Sequence, residues 1–236
     1  MFFFASTTTY LAKEQLPWRE WAADERTAVG ERRTIVLDDD TELVLNTDTA
    51  VNVRFSAQER RILLISGEIM IATGKDRRAT PRPFVVETAQ GELQPLGTRF
   101  VVRQQTDSSR LDVFEGAVEI RPRDGAGRKR VIQAGQRVKF TRDDIFDPLT
   151  LQGDDIAWTE GMIIANGMRL HDFLAELARY RRGRLSCDPA IANLRVSGTY
   201  PLADTDLVLT TLPSTLPVEI HFLTRYWVTI RAVQTG

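Results

Sequence analysis

Residues 110–120, RLDVFEGAVEI, decide the fold, because two short apolar-alternating arms flank a glycine. A period of two turns one set of side chains inward, as a half-buried β-strand requires. The alternating apolar residues on the two sides of the glycine are Leu111, Val113, Val118 and Ile120. Glycine lets the backbone turn or bulge between the arms without a steric penalty. The stretch therefore predicts two β-arms joined at Gly116.

The same pattern occurs earlier at residues 61–71, RILLISGEIMI, and in a weaker form at residues 131–140, VIQAGQRVKF. Similar units at a wide, nearly fixed spacing are typical of stacked β-structures that share one core. No segment between residues 30 and 140 shows the 3.6-residue period of an amphipathic helix. We therefore predict a mainly β N-terminal part, built as stacked β-hairpins in a solenoid-like arrangement.

Composition excludes several classes of protein. The 236 residues are 42% hydrophobic and 27% charged, which is ordinary for a globular protein of one large or two small domains. The formal net charge of −1 gives no indication of nucleic acid as a partner. Cys187 is alone, which excludes an intrachain disulfide framework, and His171 and His221 are isolated from each other. We predict no metal site and no cofactor.

The last third of the chain has a different pattern. Apolar residues at helical spacing predict an amphipathic helix from residue 170 to about 182, and Asp204 is placed to cap a second, shorter helix. Strands are predicted at 162–165, 184–187, 195–200, 218–223 and 227–231. The resulting β-α-β, β-α-β-β order predicts a small α/β subdomain with open edge strands.

The domain organisation follows from these patterns and from changes in composition. We predict an N-terminal tail or short helix (1–26), an all-β domain (27–141), an acidic linker (142–157) and an α/β subdomain (158–236). The linker contains Pro148 and Gly153, and a short helix over residues 16–26 would carry Trp18 and Trp21 on one face. The apolar start of the chain is shorter than the roughly 20 residues that a membrane helix needs.

An enzymatic role is not indicated. Glu68 together with Glu115 or Glu119 could form an acid/base pair of the kind that glycosidases use. Each of these residues is, however, expected at a hinge or on the outward side of a strand. The sequence has no Ser–His–Asp set, no glycine-rich phosphate loop and no HExxH motif. We therefore predict a protein that is not an enzyme.

Several motifs in order carry a resemblance to a known family. LISGEIMIAT (64–73), RPFVVET (82–88), LGTRFVVR (96–103), DVFEGAVEI (112–120) and AGQRV (134–138) resemble the signature of the FecR family, the transmembrane sigma-factor regulators of Gram-negative bacteria. The opening strand–turn–strand is also similar, although Asp39-Asp40-Thr41 stands where Asp-Gly-Ser is usual. The segment from residue 168 to 212 resembles the family's C-terminal subdomain, which is like the short N-terminal domain of secretins and TonB-dependent transducers.

The resemblance implies a signalling role. It implies the periplasmic region of an inner-membrane-anchored anti-sigma factor, whose membrane helix and cytoplasmic sigma-factor-binding domain are mostly absent from this sequence. The implied partner is the signalling domain of a TonB-dependent outer-membrane receptor in iron-siderophore uptake. The sigma factor would be contacted only through the missing cytoplasmic domain.

The predicted partner contacts lie on strands of the α/β subdomain, where another chain can add a strand to an open edge. They are Val196, Ser197, Thr199, Tyr200, Tyr226, Trp227 and Val228. Alternate residues of these strands must also fill the subdomain's own core. An alternative function is a scaffold whose β-domain binds cell-wall glycan or another envelope component, and Phe146 is the clearest loop aromatic that could stack on a sugar.

Overall fold

The computed structural model describes residues 23–151 and 153–233, apart from the side chains of residues 153 and 154. Within these residues a large β part comes first and a small α/β part follows, which confirms the predicted fold class. We call the first part the β body (residues 25–150) and the second the α/β unit (residues 162–232). None of the helices in the described ranges is long and apolar enough to span a membrane.

The β body has thirteen strands among the described residues, and they form one curled sheet with two layers. The strands are β1 (Glu25–Arg26), β2 (Arg33–Val36), β3 (Glu42–Leu45), β4 (Ala50–Phe55), β5 (Arg60–Ala72), β6 (Phe84–Glu87), β7 (Gly91–Pro95), β8 (Arg99–Gln104), β9 (Ser109–Glu115), β10 (Ala117–Pro122), β11 (Arg130–Gln133), β12 (Gln136–Phe140) and β13 (Leu149–Thr150).

Strand β5 belongs to both layers. Up to Ser66 it pairs with β4 and β6 in the first layer, and from Gly67 onward it pairs with β3 and β8 in the second. The first layer runs β1-β4-β5-β6-β7-β10-β11, and the second runs β2-β3-β5-β8-β9-β12-β13. The two layers enclose a core in which side chains such as Ile62, Ile69 and Phe100 are fully buried.

The glycine of each sequence repeat lies where the chain passes from one layer to the other. Gly67, Gly116 and Gly135 have φ angles of 90°, 72° and 81°, a region that L-amino acids with a side chain rarely adopt. At Gly67 a Cβ atom would lie 2.6 Å from the Cα of Thr49, so there is also no room for a side chain. The repeat in the sequence therefore marks the corners of the β body.

The α/β unit contains five strands and two helices in the predicted order. They are β14 (Met162–Arg169), helix α1 (Leu170–Ala178), β15 (Arg184–Cys187), β16 (Arg195–Pro201), helix α2 (Thr205–Thr211), β17 (Val218–Thr224) and β18 (Trp227–Ala232). Strands β14 and β16 form one antiparallel pair, and β15-β18-β17 form a second sheet with β18 in the centre. Asp204 caps helix α2, since its carboxylate accepts a hydrogen bond of 2.9 Å from the Leu207 amide.

The outer face of the second layer of the β body is covered by the α/β unit. Along β5, Ile69 and Ile71 point into the body's core, whereas Met70 between them joins the core of the α/β unit. Val44 on β3 and Val101 on β8 do the same. These strands are apolar on both faces, and this explains why the sequence runs LVL, IMI and FVV without alternation.

Two local predictions differ from the structure. Most of the short helix predicted over residues 16–26 lies outside the described residues, but Glu25–Arg26 form strand β1 and pair with β4, so the prediction was wrong there. In the segment predicted as a linker, Ile145 forms a bridge with Phe140, and β13 adds to the edge of β12. A 3-10 helix at Gly153–Glu160 then buries Trp158 against the α/β unit. The division into domains at the predicted boundaries stays a prediction.

Candidate functional site

The predicted partner contacts fall into two groups that the structure does not bring together. Ser197, Thr199 and Tyr200 belong to β16 in the two-stranded sheet, whereas Tyr226 and Trp227 lie at the start of β18 in the three-stranded sheet. Helix α1 packs against strands of both sheets and so lies between the two groups. A single partner strand cannot pair with both sheets at once.

Two of the seven predicted residues are buried. Val196 and Val228 form part of the hydrophobic core of the α/β unit, together with helix α1 residues such as Phe173. Both follow the alternation of their strands, which places every second side chain inward. Their side chains are therefore occupied by the unit's own core and are not available to a partner.

The β16 group offers a small, polar surface. The hydroxyl of Ser197 accepts a hydrogen bond of 3.0 Å from the Gly167 amide, and Thr199 is exposed. The Tyr200 ring leans back onto Phe173, with 4.8 Å between the ring centroids, and burial raises the pKa of its hydroxyl. Strand β16 pairs only with β14 among the described strands, which leaves one edge of β16 open.

The second group lies at the tip of the β17–β18 hairpin, where large apolar side chains face solvent. Leu223 is 77% exposed and Trp227 is 51% exposed, and Phe222 and Tyr226 are nearly as accessible. The Thr224 hydroxyl accepts hydrogen bonds from the amides of Tyr226 and Trp227, at 3.2 and 3.1 Å, and so fixes the turn. Sequence reasoning missed Phe222 and Leu223, although their succession at the end of an alternating strand is the signal that could have found them.

Three exposed arginines lie close to this hairpin tip in the chain or in the sheet: Arg225 in the turn itself, Arg184 on β15, and Arg182 two residues before Arg184. Arg184 lies directly opposite Trp227 in the parallel pair β15–β18, and its amide donates a hydrogen bond of 2.7 Å to the carbonyl of Tyr226. We name the surface formed by these arginines and the exposed apolar residues the hairpin-tip patch: Arg182, Arg184, Phe222, Leu223, Arg225, Tyr226 and Trp227.

The close approach of the two chain segments at this patch depends on Gly183. Its φ angle is 101°, and a Cβ atom there would lie 2.0 Å from the carbonyl oxygen of Tyr226. Strand β17 borders the patch and pairs only with β18 within the described part of the chain. The patch therefore adjoins an unpaired strand edge, whereas β18 itself is central and has no free edge.

A buried ionic cluster joins the α/β unit to the β body. Glu68 is only 1% exposed, and its carboxylate lies 2.7 Å from the Arg179 guanidinium and 3.0 Å from that of Arg110. The Asn46 side-chain amide donates to Glu68 at 2.8 Å and approaches the Tyr180 hydroxyl at 2.9 Å. Glu68 follows the hinge at Gly67, as expected, and the bend there turns its side chain towards the α/β unit, away from solvent.

The electrostatics of the cluster keep Glu68 ionised. Burial alone would raise the pKa of this carboxyl group, but the charges of Arg179, Arg110 and Arg103 outweigh it and lower the pKa to about 2. Arg103 also bridges the two parts through an ion pair of 3.0 Å with Glu176 on helix α1. A carboxylate held ionised in this way stabilises the junction and does not donate protons near neutral pH.

A second buried carboxylate extends the cluster. The Arg137 guanidinium donates two hydrogen bonds of 2.7 Å to the Asp112 carboxylate and forms an ion pair of 2.8 Å with Asp155. The Arg110 guanidinium lies 3.2 Å from the same Asp112 carboxylate. Bidentate pairs of this kind fix geometry as well as charge. The ions therefore tie β9, β12 and the segment before the α/β unit into one junction.

Two clefts flank this junction. The larger has a volume of about 440 Å³ and is lined on the body side by Glu68, Arg110 and Arg137, and on the other side by residues that include Met168 and Glu176. The smaller, of about 330 Å³, lies between Gly67, Gln104 and Arg179. The other two glutamates weighed above lie apart from the clefts: Glu115 is exposed, and a hydrogen bond from Arg121 lowers the pKa of Glu119.

Comparison with known proteins supports the resemblance seen in the motifs. Residues 23–119 match the family described as FecR protein. Two crystal structures of a "putative anti-sigma factor" from Parabacteroides distasonis ATCC 8503, at 1.65 and 2.50 Å resolution, superimpose with TM-scores of 0.70 and 0.68. Both are 18% identical to this chain; the alignments cover 89% of this chain and 99% and 98% of the solved chains.

The structural likeness extends beyond the matched family region, since it covers 89% of this chain. At this level of identity it shows a shared fold, and it does not by itself assign a function. The comparison with curated proteins gave no match.

Proposed function

We propose, from the premise that residues 23–119 are a FecR-family region, that the chain is the periplasmic signal-transducing part of an inner-membrane-anchored sigma-factor regulator. Its α/β unit binds the N-terminal signalling domain of a TonB-dependent outer-membrane transducer. The β body transmits the binding signal towards the membrane and so controls a sigma factor for genes of iron-siderophore uptake. The sigma factor itself is contacted by a cytoplasmic domain outside this sequence.

One observation carries the proposal: the α/β unit has unpaired strand edges, and exposed aromatic residues adjoin one of them. Within the described residues strand β17 pairs with β18 alone, and the exposed Tyr226 and Trp227 follow shortly after the end of β17 at Thr224. An unpaired edge offers backbone hydrogen bonds to an incoming strand, and exposed aromatic side chains supply most of the energy in many interfaces. Ser197, Thr199 and Tyr200 beside the open edge of β16 remain a second proposed contact.

The junction supports a role in transmission. The body and the α/β unit share a hydrophobic core through Met70, Val44 and Val101, and the ionic cluster around Glu68 closes the same interface. A rearrangement at the α/β unit therefore acts directly on β5, which runs through both layers of the body.

The glycan-binding alternative has less support. Phe146 is half exposed, but the Lys139 ammonium group lies 5.9 Å from the centre of its ring and covers one face of it. Only the other face of this ring is left for stacking on a sugar, and Phe146 is the clearest loop aromatic of the β body.

The test is a titration of the full chain with signalling domains of TonB-dependent transducers, followed by calorimetry and by size-exclusion chromatography. We expect a complex of one to one stoichiometry with an affinity on the order of micromolar, which is typical of transient signalling contacts. A pull-down on peptidoglycan serves as the comparison. Binding to peptidoglycan without a complex at about 100 μM of any transducer domain would refute the proposal.

A further inference from the structure

The three arginines of the hairpin-tip patch have no carboxylate partner among the described residues. Arg182, Arg184 and Arg225 are exposed, and the ion pairs within the described chain include none of them. Their neighbour Arg181 contrasts with them, because it forms an ion pair of 3.0 Å with Asp206 and donates to the carbonyl of Arg225 at 2.8 Å. The patch therefore carries an uncompensated positive charge.

The fold positions two of these three arginines. Arg184 stands beside Trp227 in the register of the sheet. The Arg225 guanidinium lies 4.5 Å from the ring centre of Tyr226 and contacts its hydroxyl. Side chains that are ordered in advance lose less conformational freedom when a partner binds.

Two carboxylates on the neighbouring elements already have partners. Asp206 is paired with Arg181, and Glu219 lies beside His221 towards the opposite end of β17. The combination of arginine, tyrosine and tryptophan is the one most enriched among the residues that dominate binding energy. An anionic membrane would also attract such a surface, but lipid offers no partner for the unpaired backbone of β17, so the open edge favours a protein.

We infer that the hairpin-tip patch is the docking surface for an acidic protein segment. The segment pairs with β17 and continues past the end of that strand, across the end of β18 towards β15, where its carboxylates meet Arg225, Arg184 and Arg182. The inference rests on the proposed function and specifies the chemistry of the partner. In this complex Leu223 and Trp227 make the apolar contacts with the partner, and the arginines attract the acidic partner electrostatically over longer distances. The edge of β16, on the other side of the α/β unit, is then not the primary contact.

The experiment measures the affinity of the full chain for the signalling domain of the transducer encoded nearest to its gene, at about 50 mM and about 500 mM salt. We expect the affinity to fall about tenfold at the higher salt concentration, because the charges are exposed and screened. Replacing all three arginines by alanine should weaken binding at low salt about tenfold and remove most of the salt dependence. Trp227→Ala should weaken it roughly thirtyfold.

Arg54→Ala is the matched control, since Arg54 is an exposed arginine on β4 of the body. It should change the affinity less than about twofold. Each variant is checked by thermal unfolding, and Arg225→Ala alone, at the solvent-exposed turn, provides a variant with the smallest structural change.

The possible results separate this inference from the proposed function. Unchanged affinity and salt dependence in the triple variant, with normal binding by the unmodified chain, would overturn the acidic docking segment and leave the signalling role standing. Pelleting with phosphatidylglycerol vesicles, without binding to the signalling domain, would overturn it in favour of a membrane contact. Absence of any complex with the unmodified chain would remove both proposals.

Discussion

The β body and the α/β unit solve the problem of burying apolar surface in different ways. The body closes its core between two layers that share β5, and every side chain of that core comes from the body itself. The unit has two small sheets around two helices, and it completes its core with Met70, Val44 and Val101 from the body. Its three-stranded sheet ends in an unpaired strand and an exposed hairpin tip.

This difference separates stability from recognition. The β body has a complete core of its own. The α/β unit does not, and it completes its core by packing against the apolar outer face of the body. The unit can therefore leave strand edges and aromatic residues exposed. In an isolated small domain the same exposure would promote aggregation and lower the stability. Four measurements test this contrast.

The largest effect is expected at the corner of the body. Gly67→Ala forces a side chain into a positive φ angle and against the backbone of Thr49, and should lower the free energy of unfolding by about 4 kcal/mol. Gly135→Ala is the control: its φ angle is also positive, but no atom lies within 4 Å of the added Cβ, so about 1 kcal/mol is expected. Denaturant titration compares the two. Equal losses would show that the corner contact is unimportant.

The next effect concerns the junction. Glu68→Ala leaves Arg179 and Arg110 without their buried partner and should cost about 3 kcal/mol of unfolding free energy. Glu115→Ala, at an exposed position of the same strand system, should change stability by less than about 0.5 kcal/mol. The measurement is again denaturant unfolding. A loss below 1 kcal/mol for Glu68→Ala would mean that the apolar contacts alone hold the two parts together.

The pH dependence of stability follows from the same carboxylate. The pKa of Glu68 is lowered in the folded chain to about 2, and an unfolded glutamate titrates near 4.3. The stabilising contribution is therefore complete above about pH 5 and disappears as the pH falls towards 2, with a total of about 3 kcal/mol. Because other carboxylates titrate in the same range, the quantity to compare is the difference between the unmodified chain and Glu68→Gln. Parallel pH profiles for the two proteins would contradict the assignment.

The smallest effect on stability is expected at the hairpin tip. Leu223→Ser removes an exposed side chain and should change the free energy of unfolding by less than about 0.5 kcal/mol. Ile230→Ala, in the core of the same three-stranded sheet, should cost about 3 kcal/mol. Thermal unfolding distinguishes them. A large loss for Leu223→Ser would indicate that the tip serves the fold and is not kept free for a partner.

Much of the fold could be predicted from short-range patterns. The repeated glycine between alternating arms located the corners at Gly67, Gly116 and Gly135, because positive φ is a local requirement that glycine meets. The order of strands and helices in the α/β unit followed from periodicity and from the cap at Asp204. These features depend on neighbours in the sequence, and the sequence therefore displays them.

The junction could not be predicted in the same way. Met70 and Glu68 lie on one strand, and nothing local says that their side chains meet helix α1 about a hundred residues later in the chain. The apolar run IMI only indicated that both faces of β5 are buried. Two of the seven predicted contacts, Val196 and Val228, lie in the unit's core because strand alternation alone does not say which face meets the helices.

The uninterrupted course of β5 has a mechanical consequence. A force applied to the α/β unit arrives at Met70 and Glu68, on the half of β5 that belongs to the second layer. The other half of the strand is bonded into the first layer, so the part of the force that β5 receives passes from one layer to the other along one covalent backbone. At the bend at Gly67, a pull along β5 would change the angle between the first and the second layer of the β body.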